Sequence, residues 1–189
     1  MPEWKDVEVV HADRHAMEKN NSFGEFVMSL KPDIICDLIC YTMDQAKELV
    51  QAAKGKVSHY IQIGSIWIYE YNIEQPVMEG HEKNSIGKYG YNKAQIEDYL
   101  LALAREERLP ATVLHPEHIV GREWIPANPQ GNFDLEIFKK IAQGQEIILP
   151  DFGTATLHHV HSQDIADQII ACLKQPEISI GNAYHSVSS

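Results

Sequence analysis

The sequence predicts an α/β fold built on a parallel sheet. Strand-like and helix-like segments alternate along the chain, the usual signature of parallel strands joined by helical crossovers. The strand candidates are short, continuous apolar runs. A chain of 189 residues with 44% hydrophobic content can also bury one sizeable core.

The elements follow in order. Val7–Ala12 reads as a strand ending at Asp13-Arg14, and Phe23–Leu30 as a helix closed by Lys31-Pro32. Ile34–Cys40 is a continuous apolar strand, and Asp44–Ala53 a helix that stops near Gly55. Ser58–Tyr69 contains a buried strand that reaches Ser65 at its carboxyl end. A polar segment, Glu70–Lys88, leads to a helix opened by Tyr89, with Ile96, Tyr99, Leu100, Leu103 and Ala104 at helical spacing. Pro110 ends that helix, and Ala111–His115 is the next strand. Beyond Arg122, a loop-like stretch precedes a helix over Phe133–Ala142 and a short strand over Glu146–Leu149. Ser162 is a candidate N-cap for a last helix through Leu173, with Pro176 beyond its end.

Ser65, Tyr89 and Lys93 form the most informative set. Tyr89 lies 24 residues after Ser65, and Lys93 lies four residues further on, one helical turn along the same face. A phenol titrates near ~10, too high for a base at neutral pH. A nearby ammonium is expected to lower that value, so that Tyr89 can exchange a proton with a substrate hydroxyl. The Ser65 hydroxyl would hold the reacting oxygen. Strand, loop and helix deliver all three to the carboxyl end of the sheet, where open α/β folds bind ligands.

Four segments carry a family resemblance over essentially the whole chain. Lys31–Tyr41 resembles the fourth strand of the NAD-dependent epimerase/dehydratase family, the extended or atypical short-chain dehydrogenases/reductases. Gly64-Ser65-Ile66-Trp67-Ile68-Tyr69 resembles its Ser-Ser-x-x-Val-Tyr segment, and His115–Gly121 its Arg-Pro-x-Asn-Val-Tyr-Gly segment. Leu157–Ala166 resembles its Phe-Val-His-Val-x-Asp-Val-Ala segment. The resemblance implies a Rossmann-like domain for NAD(P) over residues 1–121, lacking its first βαβ unit. It implies a small C-terminal, substrate-side lobe over residues 122–189, with segments that return to the core. It further implies Ser65, Tyr89 and Lys93 as catalytic residues. Asp13, Arg14, Tyr41, Lys93, Pro116 and His118 would line NAD or NADP, with Asp13 and Tyr41 on the adenosine side and His118 on the nicotinamide side. The substrate class implied is a sugar nucleotide or similar polyol, and the family's pairing through the tyrosine helix implies a homodimer.

The family's glycine-rich G-x-x-G-x-x-G turn is absent, although the chain has eleven glycines. Gly87-x-x-Gly90 follows no strand and cannot substitute for it. A unit of about 30 or more residues is therefore expected to precede Val7 in a longer protein. Without it, the Val7–Ala12 strand has no neighbour and Ile34–Cys40 becomes an exposed apolar edge. Dehydratases of the family place Asp-Glu after the Ser/Thr. Ile66-Trp67 stand there here, which favours epimerase-like or reductase-like hydride chemistry. His118 and Val120 replace the usual Asn and Tyr, and Arg122 follows Gly121.

Composition excludes other classes. A net charge of −11 disfavours a nucleic-acid partner. There is no apolar leader in the first residues and no run of ~18 apolar residues, which reads as a cytoplasmic protein without a membrane segment. Cys36, Cys40 and Cys172 read as small buried hydrophobes. His159 and His161 share a strand face near Asp164, but no H-e-x-x-h pair accompanies them, so no metal is expected. A second reading, of a different class, is a non-catalytic member that senses nucleotide, a group in which some members bind RNA. The intact Ser-Tyr-Lys set favours the enzyme.

Overall fold

The computed structural model describes residues 5–69, 76–154 and 157–187. Its main sheet has four parallel strands in the order β1 (Ile34–Asp37), β2 (His59–Ile63), β3 (Ala111–Pro116) and β6 (Ala183–Ser186). A two-stranded parallel sheet, β4 (His118–Val120) with β5 (His159–His161), stands beside it. The register is set by apolar positions, with Ile35 opposite Tyr60 and Ile63 opposite Leu114.

Side chains on β2 alternate between two cores. Tyr60 packs with Ile35 and Val113 against α3 (Met43–Ala53) and α4 (Lys88–Arg105), where Leu49, Val50, Ile96, Leu100 and Leu103 close the layer. Ile61 and Ile63 face the opposite way, with Leu114, toward Val160 of β5 and toward Ile165 and Cys172 of α6 (Ser162–Lys174). Each such fully buried aliphatic side chain contributes ~1.5–3 kcal/mol relative to exposure. All five β2 residues are buried because helices cover both faces. β1, at the edge, buries only Ile35 and Asp37, leaving Ile34, Leu38 and Ile39 exposed beside it.

Local chemistry accounts for the helix starts. Thr42 and Gln45 form a reciprocal capping box at α3. Gly90 lets α4 approach the 3-10 turn Ile66–Tyr69, where a Cβ would collide with the Trp67 carbonyl oxygen. Two short helices, α1 (Arg14–Lys19) and α2 (Phe23–Ser29), precede β1; α5 (Glu136–Ala142) lies in the C-terminal part, and α7 (Pro176–Ser179) leads into β6. No helix of the described residues is long and apolar enough to cross a membrane.

Five expectations are corrected. Cys36 is exposed on the edge strand rather than buried, while Cys40 and Cys172 are buried. Val7–Ala12 is not a strand but an irregular exposed lead into α1, because no strand among the described residues pairs with it to complete a ladder. β1 ends at Asp37 rather than Cys40, since the Asp37 carboxylate turns back to accept from the Ile39 amide at 3.2 Å. Glu146–Leu149 forms no strand, and Gln130 instead donates to the Ile148 carbonyl at 2.7 Å. His161, not Ser162, caps α6, its Nδ1 accepting from the Gln163 amide. Residues 70–75 of the expected Glu70–Lys88 segment lie outside the described residues.

Candidate active site

Ser65 emerges two residues past the end of β2. Gly64 donates to the Leu114 carbonyl at 2.7 Å, continuing the ladder with β3. The chain then turns into the Ile66–Tyr69 helix, where the Trp67 amide donates to Ser65 Oγ at 3.3 Å. This turn leaves Ser65 only 6% exposed, yet facing the first turn of α4.

Tyr89 and Lys93 sit on that helix as the spacing requires. Tyr89 is 45% exposed and hydrogen bonds with the Ser65 side chain. Lys93 is 2% exposed; its Nζ donates to the Ile63 carbonyl at 2.8 Å, at the carboxyl end of β2. The ammonium lies 5.8 Å from the Tyr89 ring centroid and 5.1 Å from that of Tyr41. Tyr41 and Tyr89 stand 6.3 Å apart, and Asn92 ties the Tyr41 carbonyl to α4 at 3.1 Å. Ser65, Tyr89, Lys93 and Tyr41 therefore share one end of the sheet.

The electrostatics differ from the expected tuning. Burial raises the Tyr89 phenol above its ordinary value, and the hydrogen bond with Ser65 offsets only part of that rise. Lys93 does not depress it, because its ammonium is turned to a backbone carbonyl. Burial instead lowers Lys93 itself from 10.5 to about 8, against opposing attraction from Cys40 and Asp37.

The remaining expected positions fall into two groups. Pro116 is buried at the end of β3. His118, on β4, packs edge-on to Trp67 at 6.0 Å and lies 6.2 Å from His159, which bonds the Ala127 carbonyl. Burial, then His159, lowers the His118 imidazole. Through Trp67, His118 borders the Ser65 turn. At the N-terminal side, Asp13 caps α1 by accepting from the Ala16 amide. Arg14 grips both Asp37 oxygens, at 2.6 and 3.1 Å, and Glu18 at 2.6 Å. Arg14 is thus engaged within the fold, while Asp13 is an exposed cap.

A buried pair went unnoticed in the sequence. His115, fully buried on β3, lies behind Ser65, and Glu97 lies one turn beyond Lys93. Glu97 Oε2 is 3.1 Å from His115 Nε2, and Glu97 Oε1 is 3.0 Å from Lys83 Nζ. The signal available was spacing: Tyr89, Lys93 and Glu97 recur at intervals of four on one helix face.

A parallel sheet with polar side chains gathered at the carboxyl ends of its strands defines an open α/β fold of the Rossmann-like class. Residues 40–185 match the profile of the NAD dependent epimerase/dehydratase family, and the chain belongs to that family. No curated protein matches the sequence. Among solved structures, the chain is similar to UDP-glucose 4-epimerase from Thermotoga maritima with UDP-glucose (20% identity, TM-score 0.67, covering 90% of this chain and 60% of that one). It is similar also to dTDP-glucose 4,6-dehydratase from Bacillus anthracis in complex with NAD (16%, 0.69, 89% and 56%). A third is UDP-glucuronic acid 4-epimerase from Bacillus cereus with UDP-glucuronic acid and NAD (19%, 0.59, 77% and 45%). The chain spans less than two thirds of each.

Proposed function

We propose that this chain is the catalytic part of an NAD(P)-dependent epimerase or reductase acting on a sugar nucleotide or a similar hydroxyl or keto substrate. The observation that carries this reading is the meeting of Ser65, Tyr89 and Lys93 at the carboxyl end of β2. The residues there fit the reacting end of a nicotinamide dinucleotide: a buried ammonium beside two half-exposed phenols, with His118 against the turn. Lys93 and Tyr41 would hold the ribose side, His118 and Pro116 the nicotinamide side, and Asp13 the adenosine side. The bound nicotinamide would supply the hydride acceptor or donor.

The chain's own groups handle the proton. Ser65 Oγ fixes the substrate oxygen next to the Tyr89 hydroxyl. In the reducing direction Tyr89 gives its proton to the oxygen that becomes a hydroxyl; in the oxidising direction it takes that proton back. Its raised value keeps it protonated at neutral pH, ready as an acid toward a ketone. Binding of a cationic ring nearby would favour the phenolate needed for the reverse step.

Tyr89→Phe in the full-length protein tests this. Turnover of sugar nucleotides should fall by roughly 10²–10⁴-fold with cofactor affinity retained. Unchanged turnover overturns the proposal and leaves the nucleotide-sensing reading.

A further inference from the structure

Glu97 and His115 form a buried pair directly behind the serine, and the imidazole is boxed in. A Cβ on Gly64 would collide with its Nδ1, so the ring sits flush against the backbone that leads to Ser65. Nδ1 lies 3.0 Å from the Ser65 amide nitrogen and 3.1 Å from the Ser65 carbonyl oxygen. The two neighbours make opposite demands. An unprotonated Nδ1 accepts from the amide; a protonated Nδ1 donates to the carbonyl and faces the amide hydrogen head-on.

The other side of the ring decides between them. Nε2 faces Glu97 Oε2 at 3.1 Å, and neither atom has a hydrogen-bond partner elsewhere to draw it away: both are buried and otherwise unpaired among the described residues, so each is the other's nearest polar neighbour. Burial works against the ionised form of Glu97, but hydrogen bonding with His115 and Lys83 and the charge of the Lys83 ammonium hold it below the ordinary carboxylate value. An ionised carboxylate only accepts, so it requires a proton on Nε2, and in the neutral imidazole this leaves Nδ1 free to accept. The other groups around the ring are His185, 6.5 Å away on β6, with Tyr69 and Glu79 against it. The His185 imidazole is pushed toward its neutral form by burial first, despite attraction from Glu79, so it offers His115 no competing charge.

We propose that Glu97 and His115 are positioning residues for the reaction: Glu97 selects the Nε2–H tautomer of His115, whose Nδ1 then holds the Ser65 amide and fixes where Ser65 Oγ meets Tyr89. This rests on the Ser65–Tyr89–Lys93 reading and adds residues that touch neither substrate nor cofactor. The pair acts on the turn geometry, since the same short turn carries the Trp67 amide that orients Oγ.

Glu97→Gln is nearly isosteric and tests the selection. Its amide can donate to Nε2, which favours the opposite tautomer and releases the Ser65 amide. Nitrogen-15 NMR of the full-length protein should show His115 protonated at Nε2 in the native sequence and at Nδ1 in the variant. Turnover should fall by roughly 10²-fold, the usual effect of a small misplacement, with cofactor KM unchanged. In a His115→Asn background, where the amide oxygen can take the place of Nδ1, Glu97→Gln should have no further effect on turnover. Finding Nδ1–H in the native protein overturns the proposal whatever the enzyme does. Equal losses in both backgrounds overturn it too, because Glu97 would then act without His115. Failure of the catalytic reading itself would show separately, as unchanged turnover in Tyr89→Phe.

Discussion

Replacing Lys93 with methionine removes a charge from the most enclosed position at this site while keeping a long unbranched side chain. The fall of the ammonium from 10.5 to about 8 measures how much the fold disfavours its charged form. At about 1.36 kcal/mol per decade of acidity, that is about 3 kcal/mol. The sign follows from proton counting. Between these values the unfolded chain still holds the Lys93 proton while the folded protein has released it, so stability must rise with pH across this window. The full penalty is present below about pH 8 and is gone above about pH 10.5.

Other groups titrate in the same range with the opposite sign. Burial pushes the Cys36 thiol up to about 11 and Cys40 up to about 12, so the folded state keeps those protons longer and loses stability as pH rises. The informative quantity is therefore the difference between native protein and Lys93→Met, in which groups remote from Lys93 cancel and only the mutual attraction of Cys40 and Lys93 is left beside the burial of Lys93 itself. Urea unfolding at intervals from pH 7 to 10.5 should show the native protein gaining about 3 kcal/mol relative to the variant. A flat difference would refute the reasoning, because it would mean that Lys93 is hydrated rather than pinned beneath Tyr41 and Tyr89.

Two further outcomes follow from packing. Gly90→Ala should push α4 away from the Ile66–Tyr69 turn, since a Cβ there meets the Trp67 carbonyl and comes within 2.9 Å of Ser85 Cβ. Turnover should drop with a loss of about 1–3 kcal/mol in stability, measured by urea unfolding, and full activity would show that the contact does not set the Ser65–Tyr89 distance. On the β1 edge, the double substitution Ile34→Lys and Leu38→Lys should suppress concentration-dependent association of the 189-residue chain in sedimentation velocity. A native chain that already sediments as a monomer at micromolar concentration would remove the argument for a sticky edge.

What the sequence made legible is what local periodicity and chain order encode. Tyr89 and Lys93 on one face and Ser65 just past a strand end are short-range facts, and the structure agrees with them, whereas the cap of α6 falls one residue earlier than Ser162. Val7–Ala12 had the composition of a strand, but a strand exists only with a partner for its backbone groups, which no property of six residues can supply. β6 failed in the opposite way: Ala-Tyr-His-Ser has little strand character of its own, yet β3 offers it a parallel partner from Val113 to Pro116.

The same distinction governs the chemistry of the site. A spacing of four places an ammonium near a phenol, but cannot say where the ammonium points. That depends on which carbonyl lies closest, and here it is Ile63, from a strand 30 residues earlier in the chain. Consequently the lysine, rather than the tyrosine, has the lowered value. Tyr89 in this state is an acid in waiting, and Lys93 is a cation held close to release of its proton. On the proposed function, the charge that turns Tyr89 into a base would come from what binds beside it, which would make phenol ionisation a consequence of cofactor binding rather than a property of the helix.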